Sequence, residues 1–228
     1  MTTDEDELYG TDGDPYELAL RPECGPVYLR LTGGRRIPVP VHRWHERPTT
    51  ADRTVLARCV GPVLDVGCGP GRLCRDLLGR GVFALGVDSA PRAVALTTAL
   101  GGLAVCRSVF DRLPAERSWQ TVLLIDGNIG IGGDPRGLLH RCRGLIAPSG
   151  RLVVEVDPHD VEELCTARLE DPRGHGGPAF PWARLGPRAL RGVAEGLALS
   201  VTDQWTSGRR CFATLARRES RRPGGGGG

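Results

Sequence analysis

Residues 63–72 form the segment Val63-Leu64-Asp65-Val66-Gly67-Cys68-Gly69-Pro70-Gly71-Arg72. It begins with a short apolar run, typical of a buried strand, and continues with three glycines at alternate positions before a helical pattern starts at Leu73. Glycine allows the backbone to approach a ligand closely, and the first N–H groups of a helix have no partner within that helix. The segment therefore predicts a strand, loop and helix that bind a nucleotide-like ligand at the carboxyl end of the strand.

Strand and helix patterns alternate after this segment. Four more strands are predicted, at 82–87, 103–108, 120–125 and 151–156, with helical patterns between most of them. This alternation is typical of βαβ units and a parallel sheet. The chain then ends differently, because two alternating runs separated by Thr206-Ser207-Gly208-Arg209 predict an antiparallel hairpin. We expect an α/β protein with this hairpin at the end of its parallel sheet.

The remaining segments are assigned by composition and turn signals. Residues 1–20 are rich in acids and predicted to be disordered, residues 21–217 to form one domain, and residues 218–228, an Arg/Gly tail, to be disordered. A hairpin is predicted at 27–41, with its turn at the paired glycines, followed by a helix that begins at residue 49 or 50 and ends near residue 60. Within the domain, 21–60 is expected to be a lid region and 158–183 an insert that covers the substrate.

Composition excludes several classes of function. All 30 basic residues are arginine, so a P-loop lysine and a lysine Schiff base are both absent. No apolar run approaches the roughly 18 residues that a membrane span needs, and the acidic N-terminus is unlike a signal peptide. The eight cysteines include no C-x-x-C pair, which favours free thiols over a metal site. We expect a cytoplasmic protein without a metal.

The spacing of the glycines distinguishes between ligands. A dinucleotide fingerprint would need glycine at position 72 or 74, and these positions hold Arg72 and Cys74. A cofactor that carries an adenosine and a charged amino acid is a better match than NAD. The motif Leu64–Arg72 resembles the first motif of the class I S-adenosylmethionine-dependent methyltransferases, and the resemblance extends through residues 63–157. It implies a Rossmann-like, seven-stranded, mostly parallel sheet with a C-terminal antiparallel hairpin, helices on both faces, and S-adenosyl-L-methionine as cofactor.

With this resemblance, the cofactor is expected to contact the ends of the first four strands and the segment before the first helix. The expected cofactor-binding residues are Arg43, Trp44, Asp65, Gly67, Cys68, Gly69, Gly71, Asp88, Ser89, Phe110, Asp111, Asp126 and Gly127. The family pattern implies that the three loop glycines lie against the methionyl and ribose part. It also implies that Asp88 accepts hydrogen bonds from both ribose hydroxyls, and that Asp111 binds the adenine amino group beside Phe110.

Candidate catalytic residues are few, because methyl transfer mainly requires that the acceptor be positioned and, where needed, deprotonated. His42 and His45, in the segment expected to fold over the cofactor, are candidate bases. Asn128 follows the fourth strand, at the site that faces the methyl group, and Glu155 ends the fifth strand together with Asp157.

The acceptor is expected to be a small molecule. Asp126-Gly127-Asn128-Ile129 stands where amino-methylating nucleic-acid enzymes of the family carry an Asn- or Asp-Pro-Pro-aromatic signature. The arginines of the 158–183 insert favour an anionic acceptor. Two alternatives remain open, namely a binding protein that retains the cofactor fold without catalysis, and a methyltransferase acting on nucleic acid or protein.

Overall fold

Two β-sheets organise the chain in the computed structural model, which describes residues 15–21 and 24–218. Within these residues the strands are β1 (Val27–Leu31), β2 (Arg36–Val39), β3 (Val63–Val66), β4 (Ala84–Asp88), β5 (Ala104–Cys106), β6 (Trp119–Leu124), β7 (Ile146–Val156), β8 (Glu162–Glu170), β9 (Phe180–Leu185), β10 (Leu199–Ser207) and β11 (Arg210–Arg217). The helices are α1 (Pro15–Ala19), α2 (His42–His45), α3 (Thr50–Leu56), α4 (Arg72–Gly79), α5 (Pro91–Ala99), α6 (Pro135–Leu145) and α7 (Pro187–Glu195), with a 3-10 helix at Asn128–Gly133.

The main sheet has seven strands in the order β10-β11-β7-β6-β3-β4-β5. Strands β3 to β7 are parallel to one another, whereas β11 runs antiparallel to both β7 and β10. The predicted fold class, including the terminal hairpin, is therefore confirmed. Strand β3 lies between β4 and β6, so the strand order reverses there, and open α/β sheets bind ligands at the carboxyl edge of such a switch point.

Helices cover both faces of this sheet, which explains why all four residues of β3 are buried. Leu64 belongs to a core cluster that includes Leu138 and Leu139 of α6. Val63, whose side chain points to the other face, belongs to a second cluster with Leu73 and Leu77 of α4. The burial of all four residues of β3 is thus the consequence of a sheet that is covered on both sides.

The second sheet has four strands in the order β2-β1-β8-β9, and the sequence did not predict it as a unit. The β1–β2 hairpin was predicted and forms, with Gly33 and Gly34 in the left-handed region at its turn. Strands β8 and β9 come largely from the 158–183 insert. Trp182 of β9 packs against the 3-10 helix, where a Cβ placed on Gly130 would lie only 2.4 Å from the carbonyl oxygen of Ala183. The second sheet therefore lies close to the carboxyl end of β6.

Three predicted boundaries differ from the structure. Disorder was predicted over residues 1–20, and this is wrong for the described residues 15–20, since α1 forms there and Ala19 and Leu20 are fully buried. The rest of the predicted N-terminal disorder and residues 219–228 of the tail lie outside the described residues. Helix α3 ends at Leu56 rather than near residue 60, and β7 starts five residues earlier than expected. In the described part of the chain, no helix is both long and apolar enough to cross a membrane.

Candidate active site

The glycine loop after β3 adopts a conformation that only glycine accommodates easily. Gly67, Gly69 and Gly71 have φ values of +69°, +54° and +75°. A Cβ on Gly67 would lie 2.5 Å from the side-chain nitrogen of Asn128, and one on Gly71 would lie 2.5 Å from the Thr97 methyl group. Both the backbone conformation and the close packing therefore require glycine at the ends of this loop.

Asn128 holds the loop in place from the carboxyl side of β6. Its Nδ2 donates to the carbonyl oxygens of Val66 and Gly67, at 2.8 and 3.0 Å. These bonds occupy both N–H groups of the side-chain amide, so the observed contacts fix the loop. The expected role of Asn128 at the methyl group stays a prediction.

Asp88 ends β4 directly beside the loop. Its Oδ2 accepts from the backbone N–H of Gly69 at 2.9 Å and from the Tyr16 hydroxyl at 3.1 Å, and its Oδ1 accepts from the N–H of Ala90 at 3.0 Å. Burial raises the pKa of the Asp88 carboxyl, although these hydrogen bonds oppose the shift. A carboxylate fixed in this way can accept hydrogen bonds from a ligand that lies on the loop.

Two predicted cofactor residues lie beneath the loop instead of on its surface. Asp65 is fully buried, accepts a hydrogen bond from the Cys74 thiol at 3.6 Å, and has its pKa raised by burial to about 7. The Cys68 side chain points toward β4, because a Cβ on Gly86 would lie 2.5 Å from its sulfur. Both side chains therefore support the loop from below, and a direct contact with a ligand stays a prediction for each.

The residues expected near the adenine lie on the surface. Phe110 has 49% of its surface exposed, and its ring edge lies 3.1 Å from the Cβ position of Gly132. The carboxylate of Asp111 accepts from the N–H of Ser108 at 3.1 Å and so closes the turn after β5. Ser89 is exposed, and its carbonyl oxygen accepts from the Cys106 thiol. An open aromatic ring beside a fixed carboxylate is suited to a flat heterocycle.

A group of three arginines and three carboxylates, the arginine–carboxylate cluster, lies at the carboxyl ends of β6 and β7. Its members are Arg43, Asp52, Arg72, Asp126, Glu155 and Arg210. Formal charges of +3 and −3 cancel within the cluster. Asp52 is fully buried, and Arg72 and Arg210 together hold its pKa at about 2 against the opposing effect of burial.

Arg210 makes the most contacts in the cluster. Its Nη1 lies 2.7 Å from Asp52 Oδ1 and its Nη2 3.0 Å from Asp126 Oδ1. Its Nε and Nη2 also donate to the two oxygens of Glu155, at 2.7 and 2.6 Å. Bidentate pairs of this kind are strong and fix the orientation of the carboxylate.

Asp126 lies at the centre of the cluster in an unusual backbone conformation, with φ of +58°. Its Oδ2 pairs with Arg72 Nη1 at 2.9 Å, and its backbone N–H donates to Glu155 at 2.7 Å. Left-handed conformations cost energy in residues other than glycine, and they occur where surrounding contacts hold them in place. The neighbouring Gly127 lies under Trp182, whose ring is 3.7 Å from the Gly127 Cβ position.

The segment expected to form a lid is the short helix α2. Arg43 Nη2 lies 3.3 Å from Asp126 Oδ1, while its Nε is buried and has no hydrogen-bond acceptor among the described residues. Trp44 packs edge-to-face against Tyr16, with ring centroids 5.8 Å apart. His42 is exposed, and His45 is half-buried. Arg43 and Trp44 therefore approach the same edge of the sheet as the loop.

Four residues of this site were missed by the sequence analysis, namely Tyr16, Asp52, Arg72 and Arg210. Of these four, Asp52 had a recognisable sequence signal, because Thr49 and Asp52 form a capping box at the start of α3. The two carboxylates that had been expected at the end of the fifth strand are both paired with arginines. Glu155 is bound by Arg210, and Asp157 is bound by Arg184 at 2.6 Å.

Comparison with known proteins supports this architecture. No protein-family model and no curated protein matches the sequence. A SAM-dependent methyltransferase from Bacteroides fragilis, solved with S-adenosyl-L-homocysteine, is 18% identical and superposes with a TM-score of 0.75 over 96% of this chain and 98% of that chain. A 1,6-didemethyltoxoflavin-N1-methyltransferase from Burkholderia thailandensis is 19% identical, with a TM-score of 0.53 over 69% of this chain and 71% of that chain.

A third solved structure, a SAM-dependent methyltransferase from Methanosarcina mazei, is 15% identical and has a TM-score of 0.56 over 69% of this chain and 92% of that chain. At these identities the likeness establishes the fold. The chain has the fold of the S-adenosylmethionine-dependent methyltransferases.

Proposed function

We propose that the chain is an S-adenosylmethionine-dependent methyltransferase that acts on a small molecule by in-line methyl transfer. The observation that carries the proposal is the pairing of the left-handed glycine loop with the fixed carboxylate of Asp88 at the switch point of the sheet. The similarity to methyltransferases over almost the whole chain supports it. A cytoplasmic location is part of the proposal and is supported by the eight free cysteines.

The residues present fit the proposed cofactor. Gly69 leaves open backbone for close approach, and Asp88 provides carboxylate oxygens at the loop. Phe110 offers an exposed aromatic face. Arg43 has a buried Nε with no acceptor among the described residues, and a carboxylate of the ligand would satisfy it. When bound, S-adenosyl-L-methionine supplies a methyl group activated by the sulfonium.

In this reaction the chain mainly positions the two reactants and shields them from water. Trp182 and the second sheet lie over the end of β6, where they restrict the access of water. Holding two reactants in line removes much of the entropic barrier, so transfer needs little further chemistry from the protein. The proposed base is His42 or His45, because Glu155 and Asp157 are committed to arginines.

A small acceptor is supported by the cover that the second sheet forms beside Asp126 and Gly127. The position of Arg168 gives no support to an anionic acceptor, which stays a prediction. Arg168 is exposed between the buried Ala167 and Leu169, so it points to the face of β8 away from the core.

A second candidate function is a cofactor-binding protein without catalysis. It is favoured by one observation, that the carboxylates beside β6 and β7 are all engaged in ion pairs. A protein of this class would bind the cofactor and transfer nothing.

Two experiments separate these functions. Calorimetry should show binding of S-adenosylmethionine and S-adenosylhomocysteine and none of NAD; binding of NAD alone would contradict the proposal. Incubation with methyl-labelled cofactor and a cell extract, fractionated by size, should then place the label in small molecules. Label in protein or nucleic acid would change the acceptor class, and tight binding without transfer would favour the non-catalytic candidate.

A further inference from the structure

We propose that Tyr16 occupies the ribose-binding position on Asp88 when no cofactor is bound, so that the cofactor must displace the Tyr16 hydroxyl in order to bind. This inference rests on the proposed function, since it assigns Asp88 to the ribose. It concerns the control of access to that same site by a residue of the N-terminal helix α1.

The accepting positions of Asp88 are largely occupied before any ligand binds. A carboxylate oxygen accepts about two hydrogen bonds. Oδ2 already accepts from the Gly69 N–H and from the Tyr16 hydroxyl, and Oδ1 accepts from the Ala90 N–H. If the two ribose hydroxyls each donate to a different oxygen of Asp88, one of them needs an accepting position on Oδ2. Both positions on Oδ2 are already filled. The Gly69 donor belongs to the loop backbone, so the Tyr16 hydroxyl is the donor that a ligand can replace.

The Tyr16 hydroxyl lies inside the glycine loop site. It lies 3.9 Å from the Cβ position of Gly69, directly over the middle glycine of the loop. Burial and the neighbouring Asp88 raise the pKa of Tyr16 well above its ordinary value, so the phenol keeps its proton and acts as the donor. A neutral hydroxyl that donates to a carboxylate is the same chemical contact that a ribose hydroxyl would make there.

Other contacts anchor α1 and the residue that follows it, independently of this bond. Leu20 is fully buried and packs with Ala90 and Ala93 at the start of α5. The Glu17 carboxylate accepts from the N–H of Arg92 in the same region. Loss of the Tyr16 hydroxyl therefore leaves the helix attached, and a variant at this position tests the displaced contact and not the folding of α1.

The test is Tyr16→Phe, measured by calorimetry with S-adenosylhomocysteine. A hydrogen bond to a charged group changes an equilibrium constant by a factor of about ten to a hundred. Because the wild type must break it on binding, the variant should bind the ligand more tightly by that factor. The ligand-free variant should also unfold at lower denaturant concentration than the wild type. Tyr28→Phe is the matched control, since the Tyr28 ring lies under Arg36 on the second sheet and should leave the affinity unchanged.

A second measurement assigns the effect to the ribose. Adenosine and 2′,3′-dideoxyadenosine are compared as competitors of S-adenosylhomocysteine. The gain from Tyr16→Phe should appear with adenosine and be absent with the dideoxy compound. An unchanged or weaker affinity in Tyr16→Phe, or an equal gain with both nucleosides, overturns this inference and leaves the proposed function intact. Failure of the wild type to bind S-adenosylhomocysteine at all overturns the proposed function instead.

Discussion

The guanidinium of Arg210 lies 2.7 Å from the carboxylate of Asp52, although 158 residues separate them in the chain. This pair ties the first residue of β11 to α3 and, through the other contacts of Arg210, to the ends of β6 and β7. Both side chains are nearly inaccessible, with 10% and 0% of their surface exposed. Removal of Arg210 would therefore leave the cluster with one negative charge in excess and Glu155 without its arginine.

We expect Arg210→Met to lower the free energy of unfolding by about 3–5 kcal/mol, because breaking a buried charge network from one side leaves uncompensated charge. Arg188→Ala is the control: Arg188 pairs with Asp160 on the surface and should contribute about 0–1 kcal/mol. Urea denaturation measures both. Equal, small effects of the two substitutions would contradict the role assigned to the cluster.

The contrast between this cluster and the glycine loop shows what the sequence could predict. The loop is contiguous, and its strand, glycines and helix each have a local signature, so residues 63–72 and Asp88 could be placed from sequence. Arg210 and Asp52 carry no local sign that they meet, because their contact depends on the folded sheet. The same reason explains why Tyr16 was assigned to a disordered segment and why the second sheet was missed, since β1 and β8 pair across more than 130 residues.

Binding of the proposed cofactor should depend on Asp88. Asp88→Ala removes a charged acceptor and should weaken binding by about 1.5–3 kcal/mol, the usual contribution of a hydrogen bond to a charged group. Asp160→Ala, a substitution of an exposed aspartate paired with Arg188, serves as the control and should bind normally. Calorimetry with S-adenosylhomocysteine provides the measurement. Unchanged affinity in Asp88→Ala would remove the ribose assignment.

Two glycines with the same φ of +75° separate backbone strain from crowding. A Cβ on Gly81 meets no atom within 4 Å, whereas one on Gly71 meets the Thr97 side chain at 2.5 Å. We expect Gly81→Ala to cost about 1–2 kcal/mol of stability from strain alone. Gly71→Ala should cost a further 1–3 kcal/mol or so from overpacking, and should also weaken cofactor binding. Denaturation curves of the two variants test this. Equal losses of stability would show that the Thr97 side chain can move aside without a cost in free energy.

The buried Asp65 predicts a dependence of stability on pH. Its pKa in the folded protein is raised by burial to about 7, so between roughly pH 4 and 7 the folded state holds a proton that the unfolded state has lost. The contribution of Asp65 to the free energy of unfolding is therefore fully present below about pH 4 and is lost as the pH rises through 7. Asp52 affects stability in the opposite direction and at lower pH. Because its pKa is lowered to about 2, its contribution to the free energy of unfolding is lost only as the pH falls toward 2.

Asp65→Asn removes the titration while keeping the shape of the side chain. The stability of the variant relative to wild type should rise between pH 5 and 8, a range in which Asp52 does not titrate. The change should be on the order of 1–3 kcal/mol, since each pKa unit corresponds to about 1.4 kcal/mol. Thermal or urea unfolding of both proteins at pH 5 and pH 8 gives the difference directly. A constant difference across this range would mean that Asp65 is already ionised at pH 5. The charge of Arg72, which lowers the pKa of Asp65 against the effect of burial, would then keep the carboxyl ionised.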